Sequence, residues 1–281
     1  MATSLNPTIS KFDTGFDAEK TTQYRLTIQF QLGGLSFALF DATDNRLVGF
    51  ECLQSDLLAD SNDLFRALER ALELKGLNHK AFQSVTCIVD GRTATLVPEA
   101  LYSPDNSEQL LGFHFNLPPD CVILSEQLPT HRAVLLYGLP SALQSKMKAK
   151  WPDARITHSS AVLLNHLPTS DNATVYVNVR NRDFDMAVMK DKLLFFNNFK
   201  FNTADDFAYF LLFAMEQHGL SGQDTPVLFS GFILPSSDII SLCGRYVRDI
   251  HFVDKPNELL VSENMAEVPY QYYHNFYQAT K

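Results

Sequence analysis

Few residues in this 281-residue chain are spaced for chemistry. The eight histidines are dispersed and show no metal-ligand spacing. Cys52, Cys87, Cys121 and Cys243 form no CxxC pair, and three of them sit in apolar, strand-like runs. That pattern reads as buried free thiols rather than a redox or zinc motif. A GxSxG elbow, a Walker A loop and an HExxH motif are all missing. Two groups of residues remain. Arg180 and Arg182 flank Asn181 at a turn, and two guanidinium forks so placed suit an anion or an acidic partner loop. The plain alternative is a solvated charged turn. Tyr270, Tyr273 and Tyr277 fall at i, i+3 and i+7 on one helical face, with Phe276 beside them. The plain reading of such a face is a tail that docks on its own domain, and the functional one a partner-binding helix, since tyrosine-rich faces suit protein interfaces. Only Lys281 is basic there, which does not fit a helix lying on a membrane.

The elements that must position these residues belong to a well-packed chain. Hydrophobic residues make up 46% and aromatics 12%, with 22 Phe, a composition that suits two domains with their own cores. The formal net charge is -9, and the halves before and after Pro168 are both mildly acidic. Phosphate neutralisation needs a basic face, so neither nucleic acid nor an anionic membrane surface is expected as partner. No run approaches the roughly 18 apolar residues of a membrane span, and the amino terminus lacks an apolar signal region. The expectation is a cytoplasmic chain without metal or cofactor.

One pattern occurs twice. YRLTIQFQLGG, LSFALFDATDN and RLVGFECL follow one another from Tyr24. TVYVNVRNRD, FDMAVMKD and KLLFFNNFKF follow one another from Thr174. Each is strand, turn, strand, turn, strand. Leu26, Ile28, Phe30 and Leu32 alternate with polar residues, the period of a half-buried strand. Gly33-Gly34 supplies the turn. Met1 to Thr22 reads as a polar arm that docks loosely or frays.

Ser61 is the expected cap of a helix carrying Leu64, Phe65, Leu68 and Leu72, and Ser84 to Asp90 a buried strand. Residues 91–130 read as an insertion, and Arg132 to Gly138 as a strand in the resumed α/β alternation. After the second meander Thr203 caps a helix with Asp205 and Asp206 in its first turn. Pro226 to Ser230, a helix from Ser237, and Ile250 to Asp254 complete the order β-β-β-α-β-α-β. The expected domains are 1–168, with an insertion at about 91–130, and 169–281 with an aromatic tail.

Two successive β-β-β-α-β-α-β units resemble the actin-like ATPase superfamily, and the chain also looks like an uncharacterised bacterial family of that fold. The resemblance implies an α/β chain of two duplicated, ribonuclease H-like domains, each a mixed sheet flanked by helices. It further implies a phosphate motif, Asp-x-Gly with small residues after it, at the first turn of each meander. There the glycines admit phosphate and the aspartates order Mg²⁺. Here Gln31 stands for the first aspartate, followed by Gly33 and Gly34. In the second copy Asn178 replaces the aspartate, Arg180, Asn181 and Arg182 replace the glycines, and Asp185 is kept. The adenosine motif is reduced to Ser230-Gly231, with Phe232 facing the nucleobase slot. With all three motifs altered, the resemblance implies a pseudo-ATPase: a scaffold or protein-interaction module with a protein partner and no cofactor. The alternative is an atypical nucleotide-binding ATPase or kinase-like enzyme using Gly33-Gly34 and Asp185.

Overall fold

The polar arm condenses at Ile9–Phe12 into a short strand, β1, and a 3-10 turn at Ala18–Gln23 leads into β2 (Tyr24–Gln31). The structure is a computed structural model that describes residues 8–31, 33–55, 58 and 60–281. Met1 to Pro7, expected in the arm, and Leu32, expected on the strand, lie outside the described residues. Strands β3 (Gly34–Asp41) and β4 (Arg46–Gln54) complete the first meander, and β1 pairs antiparallel with β4. Helix α1 (Ser61–Leu74) follows, capped by Asp60 rather than the expected Ser61. Asp60 Oδ1 accepts from the N–H groups of Asn62 at 2.7 Å and Asp63 at 2.8 Å, and so satisfies two orphan donors at once. Strand β5 (Ser84–Val89) then joins β2 in parallel.

The expected alternation in β2 is present, but its polar face is not solvated. Thr27, Gln29 and Gln31 are as buried as Leu26, Ile28 and Phe30. The apolar face takes α1, whose Phe65 stacks on Phe30 at 5.7 Å. The other face carries Phe40, Phe50 and Ile88, on which Tyr277, Phe276 and Ala279 of the chain's last residues pack. A sheet covered on both sides leaves no wet face, which is why β2 to β4 are buried almost throughout.

Strands β6 (Ala94–Pro98), β7 (Cys121–Leu128) and β8 (Ala133–Pro140) form a separate antiparallel sheet in the order β6-β8-β7, crossed by the short helix α2 (Ser107–Gly112). The strand expected at Arg132 to Gly138 therefore belongs to this sheet and not to the main α/β alternation. As its central strand, β8 is buried on both faces, and its apolar run looks the same as that of a parallel core strand. Helix α3 (Ser141–Lys150), β9 (Arg155–His158) and α4 (Ser159–Asn165) return to the main sheet, where β9 pairs in parallel with β5.

The second unit repeats the plan. Strands β10 (Thr174–Val179), β11 (Asp183–Met189) and β12 (Leu193–Lys200) form the meander, and α5 (Ala204–Gln217) starts at the expected Thr203. Strand β13 (Val227–Gly231), helix α6 (Asp238–Cys243) and strand β14 (Ile250–Phe252) finish it. The sheet order is β12-β11-β10-β13-β14, with β13 and β14 parallel to β10. The first unit contains the same path, β4-β3-β2-β5-β9, with the same senses. Val175, Val177 and Val179 face α5, where Phe184 lies 4.1 Å from Phe207.

The chain does not divide once. One compact unit comprises residues 1–162, 256–268 and 276–281, and the other 163–255 and 269–275. Strand β15 (Leu260–Val261) pairs in parallel with β4, within the first unit. The residues of helix α7 (Tyr270–Gln278) are shared between the units.

Candidate functional site

In the second unit the register of three strands gathers the altered motif residues. Asn178 of β10 lies opposite Asp185 of β11 and beside Ser230 of β13, and Asp185 lies opposite Asn198 of β12. All point to the face of the sheet away from α5, because side chains two apart share a face. Arg180, in the turn between β10 and β11, folds back over this row instead of reaching outward. It is 4% exposed.

Arg180 Nη1 donates to Asp185 Oδ2 at 2.7 Å and Nη2 donates to Asp185 Oδ1 at 3.0 Å, a bidentate fork. Its Nε donates to Asp183 Oδ1, and its backbone N–H closes the turn on the Asp183 carbonyl at 2.9 Å. Asn198 Nδ2 adds a further bond to Asp185 Oδ1 at 3.0 Å. Asp185 is fully buried. A carboxylate there is sustained only by paired, hydrogen-bonded partners, which Arg180 and Asn198 supply. Arg182, by contrast, is exposed. The two guanidinium groups of this turn are thus separated, one bound internally and one at the surface.

Beside this ion cluster lies a neutral one. Asn178 Oδ1 accepts from Asn275 Nδ2 at 3.0 Å and from Ser230 Oγ at 3.2 Å. Gln271 Nε2 donates to the Ile233 carbonyl at 3.1 Å, so α7 is tied to the segment that follows β13. Gly231 has φ +84, and a Cβ there would lie 2.0 Å from the Val179 carbonyl oxygen. Only glycine lets β13 leave the sheet this close to β10. Phe232 stands 5.3 Å, ring to ring, from Tyr272.

The first unit holds the simpler turn. Gln31 pairs with Gly34 across the hairpin, and Gly33 takes φ 75. A Cβ on Gly34 would lie 2.8 Å from the Leu53 carbonyl oxygen and 3.1 Å from Gln31 Nε2, so the amide fills the space against the glycine. Gln31 is 4% exposed, and its Oε1 accepts no hydrogen bond from the described residues. Gln29, one step along the same face, donates to Asp90 Oδ2 at 2.5 Å.

Tyr270, Tyr273 and Tyr277 are buried, at 9%, 1% and 2% exposure. The face they share is covered by the chain itself. Tyr277 Oη accepts from Asn45 Nδ2 at 2.8 Å in the first unit, and Tyr270 packs edge-on to Tyr273 in the second. Reading the motifs alone misses Asp183, Asn198 and Asn275. The signal for Asn198 is local, since Asn197-Asn198 interrupts the aromatic strand LLFFNNFK. Asn275 sits amid tyrosines in a helix remote in sequence and has no such signal. Among the described residues, no group of three or more His, Cys, Asp and Glu could hold a metal ion, and no helix is long and apolar enough to cross a membrane.

Residues 13–250 match the model of the family described as Protein of unknown function (DUF3822). The chain belongs to this family. No curated protein matches the DUF3822 chain. Among solved structures it is similar to a Bacteroides thetaiotaomicron protein described as having an actin-like ATPase fold and unknown function. The TM-score is 0.74 at 17% identity, covering 85% of this chain and 93% of that one. It is also similar to a chain of the PilM–PilN type IV pilus biogenesis complex, with a TM-score of 0.63 at 11% identity, covering 91% of this chain and 97% of that one. The DUF3822 chain therefore has the actin-like ATPase fold, as its repeated element order implied. At these identities the likeness carries the fold and leaves the chemistry to the residues in the turns.

Proposed function

We propose that the DUF3822 chain has given up magnesium-nucleotide binding and works as a protein-interaction module on an actin-like scaffold. One observation carries this reading: the Arg180 guanidinium bound to both oxygens of buried Asp185. The aspartate that would order a magnesium ion is neutralised from within, and a cation brought to it would have to displace Arg180. Where glycines would let phosphate approach the backbone amides, the side chains of Arg180, Asn181 and Arg182 stand instead. In the other unit a neutral amide, Gln31, occupies the corresponding position, and an amide is a far weaker ligand for Mg²⁺ than a carboxylate. The similar PilM structure is of a complex with a second protein, PilN, which supports a partner role by analogy of fold alone.

A thermal-shift titration with ATP, ADP and GTP, with and without Mg²⁺, tests the proposal. A ligand at a hundred times its dissociation constant adds about 2.7 kcal/mol of stability. No shift is expected with any nucleotide. A Mg²⁺-dependent rise in Tm that is lost in Asp185→Asn would overturn the proposal and restore an ATPase-like reading based on Gly33-Gly34 and Asp185.

A further inference from the structure

The inserted sheet carries a groove that the actin-like plan does not explain. Its volume is about 590 Å³, and Tyr102, Leu117, Pro118, Pro119, Ile123 and Leu124 form most of its apolar wall. Ile123 and Leu124 are successive residues of β7, whose side chains point to opposite faces. A groove that touches both therefore runs along the edge of the strand and not over one face. In the order β6-β8-β7, β7 pairs only with β8, so its outer edge carries no partner strand among the described residues. An edge of this kind presents backbone donors and acceptors ready for a further strand.

Charge says what kind of strand. From Thr93 to His131 there is no Lys or Arg, whereas Glu99, Asp105, Glu108, Asp120 and Glu126 all fall there. Asp105 and Glu108 line the groove and are exposed. Glu126, farther along β7, is already held by Thr157 Oγ1 at 2.8 Å and by Arg155. Leu101 and Phe113, on segments leading to the groove wall, remain 64% and 72% exposed. Such a surface repels acidic chains and offers apolar seats between carboxylates.

We infer that β7 is a docking edge for an extended segment of a partner protein in which Lys or Arg alternates with aliphatic residues. The segment adds a strand to β7. Its aliphatic side chains enter the groove, and its cations face Asp105 and Glu108. This deepens the interaction-module reading and rests on it.

The probe is a fluorescein-labelled, end-blocked heptapeptide of alternating lysine and valine, with a glutamate–valine counterpart. Anisotropy measures binding to the full chain, and amide chemical-shift perturbation locates it. The cationic peptide is expected to bind and to perturb residues 102–125, while the acidic peptide does not bind. D105K/E108K, which alters only exposed side chains, should bind about tenfold more weakly with an unchanged Tm. A peptide N-methylated at alternate amides should also weaken about tenfold, because strand addition needs those donors. Absence of binding, equal binding to the reversed variant, or perturbation away from β7 would each overturn the inference. If N-methylation had no effect, strand addition would be overturned. A Mg²⁺-nucleotide shift alongside intact groove binding would instead count against the nucleotide-free reading alone.

Discussion

At the residue scale the second unit holds a guanidinium of its own over a buried carboxylate. Arg180 on Asp185 is a buried pair whose worth appears when it is broken. Removing one partner of such a pair typically costs 3–5 kcal/mol, because the other charge stays buried without compensation. Arg180→Met is therefore expected to lower unfolding free energy by about 3–5 kcal/mol in urea titration, and R180M/D185L to recover most of the loss. If R180M were neutral, the fork would be an incidental contact. Gly231→Ala meets two obstacles together, a positive φ and the Val179 carbonyl oxygen 2.0 Å from the new Cβ. It should cost more than about 1 kcal/mol, and a native-like midpoint would mean that β13 can shift away from β10. Much of this site was legible in residue types: Asn178, Arg180, Asp185, Ser230 and Gly231 do converge. Their mutual engagement was not. Whether an arginine at a turn faces solvent or folds back depends on which carboxylates the strand register places beneath it. The spacing from Arg180 to Asp185 does not say that.

At the element scale the caps offer a cleaner test. Thr203 Oγ1 accepts from the Asp206 N–H at 3.1 Å, and Asp206 Oδ2 accepts from the N–H groups of Asn202 at 3.0 Å and Thr203 at 3.1 Å. Thr203→Ala should cost about 1 kcal/mol by urea titration with an unchanged m value. The backbone N–H groups of Asn202 and Thr203 hold the Asp206 carboxyl below its ordinary range. A depressed folded-state value means that the stabilisation is present above the unfolded value and disappears as pH falls through the folded one. This part of the stability should therefore be lost as pH falls and Asp206 is protonated, and Asp206→Ala should remove that pH dependence in urea titrations at neutral and acid pH. Elements with strong local chemistry, such as α5 with its capping box or the two meanders with their period of two, were readable in advance. The assignment of β8 was not, because an apolar run records that a strand is buried and not which sheet buries it. The half-buried expectation for β2 failed for a related reason. Thr27 and Gln29 are polar, yet Phe276, Tyr277 and Ala279 cover the face they share.

At the scale of the whole molecule, the last residues serve both units, each in its own way. In the second, Asn275 and Gln271 bond to Asn178 and to the Ile233 carbonyl. In the first, Phe276 meets Phe50 edge-on at 5.7 Å and Tyr277 lies on Phe40, while Asn45 bonds to both Tyr277 and the Glu258 carbonyl. The two sets of contacts predict separable damage. Phe276→Ala should cost about 3–5 kcal/mol and raise hydrogen exchange in β2 to β4. Asn275→Ala strips a donor from buried Asn178 and should cost about 1–3 kcal/mol, with faster exchange in β10 and β13. Truncation after Pro269 removes both sets at once. It should abolish the cooperative transition and expose apolar surface from both sheets to a dye such as ANS. A truncated chain that kept its native Tm would reverse the assignment of the tyrosine face. Tyr270, Tyr273 and Tyr277 would then be dispensable to folding and free for a partner, and the interface would have to be sought on α7 rather than along β7.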